Sequence, residues 1–114
     1  MITRQEFENG ANAVRNDFTS ALTTMINFKR SIQTAVILIA TEQELQDVRD
    51  CRINNGLINK LVTLAKEAMP LPYDAKQLYC AAMAVGTIIK EYDWGNQYLT
   101  ANGLYELATA IYNA

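Results

Sequence analysis

The chain contains no histidine. That removes the commonest general base, the Ser-His-Asp arrangement and every imidazole metal site. Serine is scarce: Ser20 and Ser31 are the only two, and neither lies in a Gly-x-Ser-x-Gly turn. Neither Gly-x-x-x-x-Gly-Lys nor Gly-x-Gly-x-x-Gly occurs, so the glycine-rich phosphate loops are excluded. Cysteine is limited to Cys51 and Cys80, without a Cys-x-x-Cys pair. In a chain that is not secreted they read as two reduced, largely buried thiols. Arg49 and Arg52 lend Cys51 positive charge, but no proton-accepting partner lies near it in sequence. The carboxylate pairs Glu6/Glu8, Glu42/Glu44 and Asp47/Asp50 lack the glycine and carbonyl pattern of a calcium loop. They read as capping and surface residues. No catalytic residue, metal site or cofactor is therefore expected, and the chain reads as non-enzymatic.

Charge is also in short supply. Charged residues make up 19% of the chain, below the usual quarter, and the net charge is −2. The densest basic grouping, Arg49, Arg52, Lys60 and Lys66, is diluted by Asp47, Asp50 and Glu67. Nucleic-acid binding needs clustered cations to displace counterions from phosphate, so this composition argues against it. From Tyr92 to the end, Asp93 and Glu106 are the only charged side chains. A segment so uncharged is either well buried or meets another surface. Long hydrophobic runs are missing as well. Ser31–Thr41 and Gln77–Ile89 fall short of the ~18–20 residues that span a bilayer. The polar, doubly signed start Met-Ile-Thr-Arg-Gln-Glu-Phe-Glu does not have the layout of a signal peptide. These features predict a cytoplasmic protein with no membrane partner.

What is present is helix. Half of the 114 residues are apolar, enough for one domain, residues 1–114, with a single modest core. Phe7, Val14, Ala21, Phe28 and Ala35 form one series of sevens. Ala11, Phe18, Met25, Ile32 and Ile39 form a second, offset by four then three. This heptad seam predicts a long first helix with one apolar stripe that something must cover. Helical from Arg4 to Ala40, it would be ~55 Å long. A compact chain of this size is only ~35 Å across. Either the helix breaks, for which Arg30-Ser31 is the expected place, or it protrudes and a second copy covers the seam. The second outcome makes Phe7, Val14, Phe18, Met25, Phe28 and Ile32 the oligomer interface. Ile26, Val36, Ile37 and Leu38 widen the stripe towards its end, as in a helix with more than one neighbour.

Four to five helices in a bundle are predicted in all. Thr3-Arg4-Gln5-Glu6 and Thr41-Glu42-Gln43-Glu44 are capping boxes, and the second starts a mostly exposed helix. Asn54-Asn55-Gly56 is expected to end that helix as a C-cap and turn. The next helix, through Leu57, Leu61, Ala65 and Met69, is apolar around well over half its circumference and should be the most buried. Pro70 and Pro72 stop it. Asp74, with Gln77 at the third helical position, caps a fourth helix whose Ala81, Ala82, Ala84 and Gly86 allow close approach. Asn102-Gly103 is expected to interrupt the last.

The aromatics divide by position. All three Phe precede Ser31, whereas the six Tyr and the single Trp lie from Tyr73 onward. Tyr98, Tyr105 and Tyr112 are spaced by seven and would share one helical face. With Trp94 they form a candidate partner-binding surface, since Tyr and Trp bury large areas and keep a polar tip. Packing of the same rings on the core is the plainer reading.

Three functions fit. The first is an assembly protein that self-associates through the N-terminal helix and meets an unidentified protein through the Tyr-rich C-terminal segment. The second is a small accessory protein of the phage or plasmid type that inhibits or adapts a host macromolecule. The third sequesters a flat, nucleotide-like ligand, with rings stacking on it and Arg49 or Arg52 holding an anionic group.

Overall fold

The computed structural model describes residues 2–114, and among them every regular element is helical. The order is α1 (Arg4–Asn16), α2 (Phe18–Ile39), α3 (Glu42–Arg49), α4 (Asn55–Ala68), α5 (Ala75–Glu91) and α6 (Ala101–Asn113), with a 3-10 turn at Gln97–Leu99. The all-α expectation stands, with six α-helices rather than four or five.

The long first helix is two helices. It breaks at Asp17, whose backbone (φ −144°, ψ 64°) is not helical. Arg30 and Ser31, the expected break, lie inside α2. The molecule measures 39 × 26 × 24 Å. A rod of ~55 Å could not pack along its length in that volume, whereas α2 alone is ~33 Å. Lys76 of α5 lies 3.4 Å from Asp17 and ties the bend to the core. The break also splits the seam. Phe7, Val14, Ala21, Phe28 and Ile32 are buried within their own chain, Met25 is half-buried, and Phe18 points outward.

The hub is α5, not α4. Nine residues of α5 are buried, among them Cys80, Ala81, Ala82, Ala84, Val85, Ile88 and Ile89, against five in α4. Its small residues let α1, α2, α4 and α6 all pack on it. Each fully buried Ile there contributes ~1.5–3 kcal/mol relative to exposure. In α1, Gly10 sits against the start of α5. A Cβ added to it would lie 2.4 Å from the Ala75 carbonyl oxygen. The glycine that weakens α1 as a helix thus allows it to dock.

Capping residues set most boundaries. Thr41 with Glu44, and Asp74 with Gln77, form the expected reciprocal boxes. Asn54 acts in the opposite sense to expectation. Its side chain accepts from Leu57 N–H at 3.1 Å and starts α4, so Asn55 and Gly56 belong to that helix. Asparagine suits an N-cap as well as a C-cap, and the tertiary contacts decide between them. The preceding helix ends earlier, where Cys51 takes the left-handed conformation at φ 56°. Asn102-Gly103 does not interrupt α6. Thr100 caps that helix by accepting from Gly103 N–H at 3.0 Å.

Candidate interaction surfaces

The three elements that meet at the lower end of α2 are joined by buried charge. Lys60 of α4 donates to Glu44 Oε1 at 2.6 Å and to the Ile39 carbonyl at 3.2 Å. Glu44 also accepts from Thr41 N–H at 2.8 Å. Burial opposes ionisation of Glu44, but the Lys60 ammonium and the Thr41 amide outweigh it and hold the carboxyl below its ordinary range. Asp47 accepts from Asn54 Nδ2 at 2.8 Å, Gln43 Nε2 at 2.9 Å and Arg52 at 3.3 Å. The Asn54 and Gln43 hydrogen bonds lower its pKa against the desolvation, with Arg52 adding to them. Glu44 and Asp47 were expected on the surface. Both are buried, because their partners Lys60 and Asn54 belong to the following helix and its cap.

The two arginines proposed as anion holders are occupied locally. Arg49 donates to Gln46 Oε1, and Arg52 pairs with Asp47 and Asp50. The depression beside Arg49, between Glu42, Gln43, Leu45 and Gln46, has no aromatic side chain in its lining. Trp94 is 3% exposed and packs edge-on against Tyr92 at 5.1 Å. Tyr98 is half-buried in the 3-10 turn. Tyr105 is half-buried too: its hydroxyl donates to the Ile2 carbonyl at 2.9 Å, its ring packs edge-on to Phe7 and Arg4 lies 4.0 Å over its face. Tyr112 is the most open, at 39%. Lys66 donates to the Tyr112 carbonyl at 2.7 Å. The seven-residue spacing therefore yields one open ring and two that pack on the core.

The thiols also divide. Cys80 is buried, and desolvation pushes its pKa up to about 11. Cys51 is exposed, contrary to expectation, because the left-handed turn after α3 carries it outward, with Sγ 3.7 Å from Asp93 Oδ2. Among the described residues no group of three or more His, Cys, Asp or Glu could hold a metal ion. No described helix is long and apolar enough to cross a membrane.

The largest exposed apolar side chains are concentrated on α2. Phe18, Leu22 and Ile26, spaced by four, are 58%, 43% and 41% exposed. Beside them Met25 and the α5 residues Met83, Ala84 and Thr87 line a groove of about 310 Å³. A second depression of about 400 Å³ lies further along α2, between Val36, Ile37, Leu45, Val48, Leu57 and Tyr92. Lys29 at the rim of the first and Gln33 at the rim of the second both donate to Glu91, and this polar bridge separates them. Beyond it Ile37, Leu38 and Ile39 are exposed as well. Leu22 was absent from the expected interface because it falls outside the heptad series. The signal for it was the run Phe18-x-x-x-Leu22-x-x-x-Ile26, a second apolar row beside the one that faces the core.

No family model matches the chain, and neither does any curated protein or solved structure.

Proposed function

We propose that this is a non-catalytic interaction protein that self-associates through the outward face of α2. It meets a second protein through the C-terminal surface that carries Tyr112. The observation behind the reading is the contiguous exposed row of Phe18, Leu22 and Ile26 beside the Met25/Met83 groove. Single exposed apolar side chains are ordinary, but a contiguous patch marks an interaction site. The absence of histidine and the local pairing of Arg49 and Arg52 support a role without chemistry.

The ligand-sequestering reading has less support. It needs aromatic rings and an arginine around one space, whereas Trp94 is buried and the depression that Arg49 lines holds no aromatic side chain. Light scattering on the purified chain tests the self-association. A mass at a multiple of 12.8 kDa that falls to one chain in Leu22→Asp supports it. A monomeric wild type overturns it and leaves the α2 face to a different macromolecule, as an inhibitor or adaptor would use it.

A further inference from the structure

Helix α3 is held to the fold differently from the other helices. The buried residues of α1, α2, α4, α5 and α6 are apolar or glycine. Those of α3 are two acids, Glu44 and Asp47. None of the extended helix pairings of the molecule involves α3. Its apolar contribution is Leu45 and Val48, both half-buried, and between them and Val36, Leu57 and Tyr92 lies the depression of about 400 Å³. Buried ion pairs add little net stability, because desolvation offsets most of the attraction. The backbone on either side of α3 is not helical. It is extended at Ala40 and Thr41 and left-handed at Cys51.

We propose that α3 is a flap, held closed over this depression by the charges of Glu44 and Asp47, that opens as a unit while the other five helices stay packed. Opening uncovers Val36 and Leu57, which are buried when it is closed. This holds whether or not the chain self-associates. The partners that let go keep their places without α3. Lys60 still donates to the Ile39 carbonyl at the end of α2, and Asn54 Oδ1 still caps α4 by accepting from Leu57 N–H. The released helix has eight residues, under the ~12–15 that an isolated helix needs, so its amides exchange with solvent when the flap is open. Loss of carboxylate charge favours the open form. Lys60 of α4 faces Glu44, and Arg52 of the following turn faces Asp47. Asp50 also holds Arg52, two positions along the chain, so its protonation loosens no tie to another helix. From α2 and α5, Lys29 and Glu91 pair with each other beside the depression. Tyr92 on its wall stays neutral in acid, because burial pushes its phenol above the ordinary value.

The test is hydrogen exchange on the full chain, followed amide by amide by NMR. Near neutrality the amides of residues 45–50 should be protected at least about tenfold less than those of residues 85–89 in α5, and should share one opening equilibrium. A gradient of protection falling from one end of α3 would be fraying and overturns the flap. Two variants then separate local from global opening. Glu44→Gln with Asp47→Asn weakens only the closed form, so the protection of α3 should fall at least about tenfold. Ile111→Val, in the buried face of α6, weakens the closed and open forms alike. It should lower the protection of α5 by about twofold to tenfold and leave that of α3 unchanged. If α3 falls together with α5 in Ile111→Val, α3 opens only when the whole fold does, and the proposal fails. It fails too if α3 is indifferent to the loss of both carboxylates. Should the double variant not fold, wild type in acid replaces it. Corrected for the intrinsic exchange rate, the protection of α3 should fall as pH drops below the ordinary Glu44 value of 4.5, and a flat response overturns the flap.

Discussion

Lys60 of α4 donates to the carbonyl of Ile39 at the last turn of α2, 3.2 Å away, while pairing with Glu44 of α3 at 2.6 Å. One ammonium thus closes the C-terminus of one helix and neutralises the buried cap of the next. Lys66, two turns further along α4, repeats the first of these roles at the end of α6, where it donates to the Tyr112 carbonyl at 2.7 Å. Helix C-termini leave carbonyls without intrahelical partners, and a cation there also suits the dipole.

Lys60→Met is therefore expected to destabilise the fold although it keeps the apolar stem. It leaves Glu44 buried without its cation and the Ile39 carbonyl without its donor. Losing the partner of a buried charge costs ~3–5 kcal/mol, at the lower end here because the Lys60 side chain is itself partly exposed. Chemical denaturation should show a lower midpoint with an unchanged slope. The double variant Lys60→Met with Glu44→Gln should recover part of the loss.

The same joint makes stability depend on acid. Glu44 and Asp47 both titrate below their ordinary values of 4.5 and 3.8. A depressed folded-state pKa means that the unfolded chain takes up protons first as pH falls. Their contribution is complete above those ordinary values and is lost as pH falls through them towards the lower folded values. Thermal melts should be flat near neutrality and decline from about pH 4.5 downward. Asp47→Asn should melt lower near neutrality and show a shallower decline. An equally steep decline in that variant would place the acid sensitivity elsewhere.

Gly10→Ala sets two effects against each other. Alanine favours helix over glycine by ~1 kcal/mol. The new Cβ would sit 2.4 Å from the Ala75 carbonyl oxygen and 3.3 Å from Tyr79 Cβ, and forced overpacking costs ~1–3 kcal/mol. The near atom is backbone at the start of α5, which yields less readily than a side chain. A lower melting temperature is expected, and a higher one would mean that α1 does not pack this closely on α5.

Much of the fold is legible in the sequence where the governing interactions are local. The Thr41 and Asp74 boxes, the Pro70–Pro72 connector and the stripe of α5 all follow from residues within four positions of one another. The failures lie where distant residues decide. Asp17 is neither proline nor glycine, and what fixes the bend is the packing of α1 and α2 on the same α5. Asn54 is equally suited to either helix end until Asp47 accepts from its side chain. Glu44 is an ordinary capping acid until Lys60 reaches it from α4. The outward row of α2 was partly visible as a stripe too wide for one neighbour. Its second face could not be assigned from periodicity, because buried and exposed apolar rows have the same spacing.

The tyrosines give the last test, because Tyr105 and Tyr112 have the same spacing and opposite surroundings. Tyr105 is half-buried with its hydroxyl on the Ile2 carbonyl, its ring on Phe7 and Arg4 over its face. Tyr105→Phe removes the hydroxyl alone and leaves that carbonyl without its donor, a loss of ~1 kcal/mol. Tyr105→Ala also removes the ring, and should cost ~3–5 kcal/mol at most, less for a side chain only partly buried. Tyr112 is 39% exposed, so Tyr112→Ala should change stability by less than about 1 kcal/mol. Urea denaturation followed by Trp94 fluorescence reads all three, since Trp94 is buried in the fold and exposed on unfolding. An order of loss with Tyr105→Ala first, Tyr105→Phe second and Tyr112→Ala last identifies Tyr105 as a core residue. It would leave Tyr112 as the member of the stripe whose replacement can weaken a partner without weakening the fold. Equal losses at Tyr105 and Tyr112 would instead mean that the end of α6 packs as firmly as its middle, and that the C-terminal ring is structural.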